Sequence, residues 1–396
     1  MIKFNKHFRA LVLMPSLLLV ACSDGNDSPM PVVSPIPAMP DFTAADVWLD
    51  DFVASQELFP GGSMIIVDKK QGTIHKSAFG NQTEDSVVLL ASTSKVPTVM
   101  VLMALDEDDA NVDFDIQQPI ANYLPWLGVW DPAITTEHLV SNRSGMPGLI
   151  NVLINPDSYT PHICQFIPAG SLQGCAETIF TTSLPDLPGT PANTAFDYGG
   201  SQWQISGGVA ELVGGGTWGQ LWNQYVAEPC GMEVARYGNL LSGSAGWDGN
   251  PDSLVGLDNP SIEGGMMSNL DDYARIISMH LNGGACGDNQ VLSPEAVAFM
   301  REVRTAAVGS GPGAVGSPPD RGYAMGWWIV PPKEGGSIYL YLDPGLFGSL
   351  AWIDVEREYG GAVFFEEYTQ TAGSVGSGAV TNQLIPIIEA AIDAVR

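Results

Sequence analysis

Ser92 and Lys95, three positions apart, are the residues of this sequence best suited to covalent chemistry. They stand in the stretch LLASTSKVP (residues 89–97), which leads into an apolar run with helical spacing. Because proline is tolerated only in the first turn of a helix, Pro97 predicts a helix that begins at or just after Ser92. Backbone N–H groups and the helix dipole at such a position favour a nucleophilic oxygen and a developing oxyanion. A lysine buried beside the hydroxyl loses its charge more easily and in its neutral form accepts the hydroxyl proton.

The same spacing has a purely structural interpretation. A serine three residues before a lysine is also typical of an N-capping serine followed by a solvated lysine. The surroundings favour the chemical interpretation, because the chain has only seven lysines and Lys95 lies between two apolar stretches.

Six groups of residues, in a consistent order, resemble the serine β-lactamase and penicillin-binding-protein-like superfamily. Within it, the resemblance is strongest to the branch of class C β-lactamase-related esterases and D-aminopeptidases, and it covers most of residues 60–366. The segments are GGSMIIVD (61–68), LLASTSKVPT (89–98), ITTEHLVSNRSGM (134–146), PGT and FDYGG (188–190 and 196–200), EGGMMS, YAR and LNGG (263–268, 273–275 and 281–284), and GYAMGW (322–327).

The resemblance implies a role for each candidate residue. Ser92 is implied as the acylated nucleophile, Lys95 as its proton acceptor, and Tyr198 as the phenol that shares this proton and delivers it to the leaving group. The backbone N–H groups of Ser92 and Leu346 are implied as the oxyanion hole. Outside this motif, Tyr198 would be interpreted as a half-buried tyrosine with a satisfied hydroxyl.

The implied substrate-binding positions are Gly200, Asp343 and Gly345, and two of them depart from the family pattern. Gly200 replaces the Asn of the family's Tyr-x-Asn motif, so the amide that helps to hold an acylamino side chain is missing. Asp343 takes the place of a cationic or aromatic residue on the edge strand. A carboxylate there repels the carboxylate of penicillins, so we predict poor β-lactamase activity and better turnover of neutral esters, amides or amine-bearing substrates. Asp343 is equally consistent with a turn residue before Pro344.

The elements around these residues predict an α/β fold. Residues 62–68 and 73–80 predict a hairpin. Four more short strands are predicted near the other end, over 323–330, 337–342, 348–354 and 361–365. A helix kinked at Pro386 is predicted over 380–395. We therefore expect an antiparallel sheet flanked by helices and built from both ends of the chain. A mainly helical inserted subdomain, over about residues 106–282, meets the sheet at a groove.

Composition and charge exclude several other kinds of protein. The chain has 396 residues, 45% of them hydrophobic and only 15% charged, which is typical of a large folded protein. With 16 Lys and Arg against 44 Asp and Glu, its net charge of −28 repels nucleic acid. The cysteines and histidines form neither C-x-x-C nor H-E-x-x-H, so we expect no metal site and no cofactor.

The first 41 residues predict export and a lipid anchor. Three basic residues precede an apolar run too short to span a membrane, which is typical of a signal peptide over residues 1–21. The run ends in LVAC, which resembles the lipobox of bacterial lipoproteins and implies lipidation of Cys22. Ser23 favours sorting to the outer membrane, facing the periplasm or the surface. An ordinary signal peptide is the alternative.

The rest of the chain divides into two parts. Residues 22–41 predict a Pro-rich tether, and residues 42–396 predict the hydrolase domain.

Four cysteines remain once Cys22 is assigned to the lipid. In an oxidising compartment an even number predicts disulfides. We pair Cys164 with Cys175, which are near in sequence, and by elimination Cys230 with Cys286. Three connectivities are possible, and free buried thiols are the alternative.

The resemblance therefore implies a monomeric, lipid-anchored serine hydrolase that cleaves an ester or amide bond through an acyl-enzyme on Ser92. A carboxylesterase-like or amidase activity on small-molecule or peptide substrates is the leading interpretation. One alternative is a D-amino-acid-specific peptidase or carboxypeptidase acting on cell-wall peptides. The other is a non-catalytic envelope binding protein that keeps the same scaffold.

Overall fold

The computed structural model describes residues 39–239, 247–305, 308–310, 322–331, 336–369 and 371–396. The predicted signal peptide (1–21), Cys22 with its predicted lipidation, and the tether as far as residue 38 lie outside the described residues. Residues 39–396 form one compact unit. No helix in the described part of the chain is both long and apolar enough to cross a bilayer.

The strands fall into one large sheet and three small ones. They are β1 (Gly61–Asp68), β2 (Gly72–Gly80), β3 (Val88–Leu89), β4 (Ala195–Phe196), β5 (Arg236–Tyr237), β6 (Met266–Ser268), β7 (Ala285–Cys286), β8 (Asn289–Gln290), β9 (Gly309–Ser310), β10 (Gly322–Tyr323), β11 (Trp328–Ile329), β12 (Leu340–Pro344), β13 (Leu350–Asp354) and β14 (Tyr359–Phe364). The large antiparallel sheet has the order β10-β11-β12-β13-β14-β1-β2, so strands from both ends of the chain meet where β14 pairs with β1. The small sheets are β3-β6-β5, β4-β9 and β7-β8.

Helices cover both faces of the large sheet and fill most of the chain between β2 and β10. The α-helices are α1 (Thr43–Ser55), α2 (Lys95–Glu107), α3 (Thr136–Val140), α4 (Ile150–Ile154), α5 (Pro156–Tyr159), α6 (Leu172–Thr181), α7 (Ser201–Gly214), α8 (Trp218–Trp222), α9 (Glu228–Cys230), α10 (Leu270–Leu281), α11 (Pro294–Met300), α12 (Ala372–Ala379) and α13 (Ile385–Asp393). Short 3₁₀ helices cover Ala91–Ser94, Ile120–Asn122, Thr160–Phe166 and Pro251–Ser253, and π-helical turns cover Asn223–Ala227 and Val380–Leu384.

Strand β1 explains why the sheet lies between two layers of helices. Successive side chains of a strand point to opposite faces, and every residue of β1 is buried. Ile65 and Val67 belong to the core shared with α2, α7 and α10, whereas Met64 and Ile66 belong to the core shared with α1 and α13. A strand that is buried at every position has both of its faces covered, here by these two layers of helices.

The predicted fold class is confirmed, and two predicted elements differ in detail. The predicted strand over 323–330 is divided into β10 and β11, because Gly326, with φ +83°, forms a turn between them. The predicted C-terminal helix is interrupted by a π-helical turn, and Pro386 lies in the first turn of α13, where its missing N–H costs no helical bond. The boundaries of the inserted subdomain stay a prediction.

Both expected disulfides are present. Cys164 is bonded to Cys175, which ties the 3₁₀ helix Thr160–Phe166 to α6. Cys230 is bonded to Cys286, which ties α9 to β7. The first bridge closes a sequence separation of 11 residues and the second one of 56 residues.

Removing the two bridges one at a time is expected to destabilise the protein unequally. From loop-closure entropy, Cys230→Ala with Cys286→Ala should lower the free energy of unfolding by about 4 kcal/mol, and Cys164→Ala with Cys175→Ala by about 3 kcal/mol. Urea unfolding of the two double variants tests this order. An equal loss, or a larger loss for the short loop, would contradict the entropic account.

Candidate active site

Ser92 lies in a tight turn that other parts of the fold hold in place. The turn is the 3₁₀ helix Ala91–Ser94, and α2 begins directly after it at Lys95, close to the start predicted from Pro97. Ala91 has φ +49°, an uncommon conformation for a residue with a side chain. Strained backbone of this kind persists only where the surroundings enforce it, so the position of Ser92 is fixed by its neighbours.

Those neighbours are strands β6 and β12 and helix α10. The Ser94 hydroxyl accepts a hydrogen bond from Met266 N–H at 3.0 Å, which holds the turn against β6. The Thr93 hydroxyl donates to the carbonyl of Asp343 on β12 at 3.0 Å, and Tyr273 of α10 donates to the carbonyl of Thr93 at 2.9 Å. The turn is therefore attached to the large sheet as well as to the small one.

Lys95 points at the candidate nucleophile from a fully buried position. Its Nζ donates to Ser92 Oγ at 3.1 Å and to the carbonyl of Glu263 at 2.9 Å. The same nitrogen lies 3.3 Å from Glu263 Oε2. The Ser92 hydroxyl and the Lys95 amine therefore lie together as expected. Lys95 is not the solvated lysine that an N-capping serine at this spacing would predict.

Tyr198 completes the group from a segment more than 100 residues away. Lys95 Nζ lies 4.7 Å from the centroid of the Tyr198 ring and 5.3 Å from that of Trp203. The Tyr198 ring also packs on Trp328, with a centroid distance of 5.1 Å. Leu149 N–H donates to the Tyr198 carbonyl at 2.7 Å, which fixes the backbone at this residue. The structure therefore brings together the three side chains that the sequence singled out.

The ionisation of Lys95 differs from the expectation. Burial by itself lowers the pKa of this amine, but its electrostatic interactions with Tyr198, Glu263 and Asp343 outweigh burial and raise the pKa above its ordinary value. The expected neutral amine is therefore disfavoured, and Lys95 is an ammonium at neutral pH.

Glu263 is the site residue that sequence reasoning missed. Its side chain is buried, and Oε2 accepts the N–H of Gly200 at 2.9 Å while facing Lys95. Glu263 belongs to the EGGMMS segment, which contributed only to the family resemblance. An acidic residue directly before the Gly-Gly pair was the available signal, and its meaning depends on β6 lying beside the Ser92 turn.

Gly200 and Asp343 are not placed as substrate-binding positions were expected to be. Gly200 is buried at the start of α7, and its N–H is taken by Glu263. The Asp343 side chain is also fully buried, and its Oδ2 accepts from Val96 N–H at 3.3 Å and from the Tyr273 hydroxyl at 3.4 Å. Burial raises the pKa of the Asp343 carboxyl well above its usual range, although Lys95 opposes the shift. Asp343 therefore lies buried beneath α2, where its raised pKa favours the neutral form, and this corrects the expectation of a carboxylate that faces the substrate and repels it.

Gly345 allows the end of β12 to approach the 3₁₀ helix Ala91–Ser94, which carries Ser92 and is called the nucleophile turn from here on. A Cβ atom at this position would lie 2.3 Å from the carbonyl oxygen of Leu90 and 2.8 Å from the hydroxyl of Thr93. Only a glycine permits this contact, which places the backbone that continues into Leu346 beside the turn that carries Ser92. Leu346 itself is partly exposed.

A cleft lies next to the segment that carries Tyr198. Its volume is about 140 Å³ and its walls are mostly apolar. Two acidic side chains, Asp186 and Asp197, line it together with residues such as Met146 and Leu187. Within the described ranges, no group of three or more His, Cys, Asp or Glu side chains is placed to hold a metal ion.

The fold and this geometry are typical of a class of protein, the serine hydrolases in which a serine hydroxyl faces an amine beside an antiparallel sheet. The chain belongs to the Beta-lactamase family, whose model matches residues 47–385. It is thus a serine hydrolase related to β-lactamases.

Three similar proteins illustrate the range of this family. Penicillin-binding protein 4 of Amycolatopsis lactamdurans is 24% identical over 277 residues, which cover 64% of this chain and 68% of that protein. A structure from Bacteroides dorei DSM 17855, provisionally described as a β-lactamase, superimposes with a TM-score of 0.70 at 24% identity, covering 89% of this chain and 99% of that one. EstCE1, described as a hydrolase with promiscuous acyltransferase activity, gives a TM-score of 0.69 at 15% identity over 87% and 97% of the two chains. At these identities the structural likeness shows the fold alone.

Asp343→Asn is expected to change how stability depends on pH. A carboxyl whose pKa is raised in the folded protein stabilises the fold fully below its unfolded pKa, and this contribution is lost as pH rises. The stability of Asp343→Asn relative to the unmodified protein should therefore increase from pH 4 to pH 8. Urea unfolding at several pH values measures this difference, and a difference that stays constant or falls with pH would show that Asp343 is ionised.

Proposed function

We propose that this protein is a carboxylesterase-like or amidase serine hydrolase that uses Ser92, Lys95 and Tyr198 to form and hydrolyse an acyl-enzyme. The observation that carries the proposal is the 3.1 Å hydrogen bond from Lys95 Nζ to Ser92 Oγ, with the Tyr198 ring against the same nitrogen. Ser92 is partly exposed, so a substrate carbonyl can reach it, whereas Lys95 is fully buried. The substrates are small-molecule or peptide esters and amides.

In the acylation step, Ser92 Oγ attacks the carbonyl carbon of the substrate. Because Lys95 is held as an ammonium, we assign the acceptor of the Ser92 proton to the Tyr198 oxygen, and this step requires Tyr198 to be a phenolate beside the ammonium. The backbone N–H groups of Ser92 and Leu346 stabilise the negative oxygen of the tetrahedral intermediate. The close approach at Gly345 supports this assignment, because it places the Leu346 backbone beside the nucleophile turn.

The same groups serve the remaining steps. Tyr198 donates its new proton to the leaving oxygen or nitrogen as the C–O or C–N bond breaks. A water molecule then gives a proton to Tyr198 and attacks the acyl carbon. As the bond between this carbon and Ser92 Oγ breaks, Tyr198 returns the proton to Ser92 Oγ, which releases the acid and restores both residues. No metal or organic cofactor takes part in this scheme.

A D-amino-acid-specific peptidase is the second candidate, and the cleft beside Tyr198 favours it. Asp186 and Asp197 line this cleft. Two carboxylates in a mostly apolar cleft attract a substrate that carries a free amine, as an amino-terminal residue does.

Covalent labelling tests the proposed nucleophile. A fluorophosphonate probe should add one label per molecule, and mass spectrometry should locate it on Ser92, because this hydroxyl is hydrogen-bonded to a buried amine. Ser92→Ala should abolish labelling and reduce ester hydrolysis by at least about a thousandfold. Ser55→Ala, which alters an exposed serine at the end of α1, is the matched control and should label normally. A wild-type protein that stays unlabelled would favour the non-catalytic binding protein.

Substrate comparison separates the two enzymatic candidates. Short-chain p-nitrophenyl esters should be cleaved with a higher kcat/KM than D-alanyl amides if the esterase proposal is correct, and the reverse order supports the peptidase. Nitrocefin should be a poor substrate, because residue 343 supplies no cation to bind its carboxylate. Nitrocefin turnover faster than that of the esters would contradict both candidates.

We also propose that the protein is exported, lipidated at Cys22 and monomeric in the outer membrane. The LVAC sequence after a short apolar run supports lipidation, and the Pro-rich stretch before residue 42 supports a tether. In a bacterial host, labelled palmitate should enter the full-length protein but not Cys22→Ser. Cys164→Ser, which leaves the proposed lipidation site intact, should still incorporate the label, and its failure to do so would point to a general export defect.

A further inference from the structure

Glu263 contacts the candidate catalytic lysine through two different groups. Its carboxylate Oε2 lies 3.3 Å from Lys95 Nζ, and its main-chain carbonyl accepts a hydrogen bond from the same nitrogen at 2.9 Å. Only 7% of the Glu263 side chain is exposed. With Ser92 as a third partner, these contacts fix the direction in which the amine points.

The carboxylate is itself held in place by the turn that follows Tyr198. Gly200 N–H donates to Oε2 at 2.9 Å, so one oxygen bridges this turn and Lys95. A Cβ at Gly199 would lie 2.6 Å from Oε2, and Gly199 and Gly200 have φ of +70° and +86°. The two glycines therefore provide both the backbone conformation and the space that the carboxylate needs.

Charge balance explains why a carboxylate is present here. A fully buried ammonium is unfavourable unless a negative group accompanies it. The ionisable groups that act on Lys95 are Tyr198, Glu263 and Asp343. Of the two carboxyl groups, that of Glu263 lies 3.3 Å from Lys95 Nζ, whereas burial raises the pKa of the Asp343 carboxyl, so Glu263 is the carboxylate that balances the ammonium. Tyr159 and Tyr323 also lie within electrostatic range of Glu263, and both are buried.

We infer that Glu263 is a positioning residue of this site, which holds Lys95 as an ammonium directed at Ser92 and thereby leaves proton transfer to Tyr198. The inference rests on the proposed function for its catalytic consequence. The contact between Glu263 and Lys95 can be tested without any activity.

The direct test is the titration of Lys95 in Glu263→Gln. This variant keeps the size of the side chain and an acceptor for Gly200 N–H but removes the charge. With only seven lysines in the chain, ¹³C-labelled lysine gives few NMR signals, and the signal absent from Lys95→Met identifies Lys95. Its titration should move to lower pH by about one unit or more, as expected on loss of an opposite charge within 4 Å. Glu211→Gln is the matched control, because Glu211 is also partly buried and accepts a backbone N–H, from Trp218, but does not contact Lys95.

The pH profile of ester hydrolysis gives the catalytic test. If ammonium Lys95 is the active form, the alkaline limb of kcat/KM should move to lower pH in Glu263→Gln, with kcat affected more than KM. If neutral Lys95 is the base, the ascending limb should move to lower pH instead, which would overturn the inference. Glu263→Asp, which keeps the charge on a shorter side chain, should restore part of the shift.

The outcomes separate the inference from the proposed function. An unchanged Lys95 titration in Glu263→Gln overturns the inference even if Ser92 is the nucleophile. Activity that survives Ser92→Ala overturns the proposed function, while the titration still decides whether Glu263 controls Lys95. Should Glu263→Gln fail to fold, Gly199→Ala displaces the carboxylate by contact and must move the Lys95 titration in the same direction.

Discussion

A positive charge buried beside a nucleophile is the constraint on which this site depends. Lys95 is removed from water, so its ammonium form exists only because neighbouring groups supply negative charge and hydrogen-bond acceptors. Its polar contacts reach Ser92 and both the carbonyl and the carboxylate of Glu263. The same charge that orients the amine also decides which of the nearby groups can receive a proton.

The fold supplies these contacts by bringing distant segments to one turn. Strand β6 carries the chain after Glu263 past the nucleophile turn, and β12 holds Thr93 through its carbonyl at Asp343. The segment before α7 adds Tyr198 and the glycines that make room for the carboxylate. Strand β6, strand β12 and the segment before α7 are all short, and no single one of them positions Ser92 without the other two.

Much of this arrangement could be predicted from local sequence, and the remainder depended on tertiary contacts. Pro97 limits where α2 begins, and residues 62–68 and 73–80 predict a hairpin, so the helix start and part of the central sheet were accessible. We expected Asp343 to face the substrate, but successive side chains of a strand point to opposite faces, and the sequence does not show which face a given residue takes. The pairing of β12 shows that the Asp343 side chain lies under α2. Glu263 was missed because its partner is 168 residues away in sequence. The same limit applies to Gly326, whose turn divides a run that is apolar enough to form one strand.

The hydrogen bond between Thr93 and the Asp343 carbonyl spans 250 residues, and it has a consequence for the order of events during protein synthesis. A ribosome needs roughly 10–50 s to add that many residues. Throughout this interval the nascent chain carries its serine without the strand that supports it. A chain that terminates before β12 therefore lacks this support for the turn that carries Ser92.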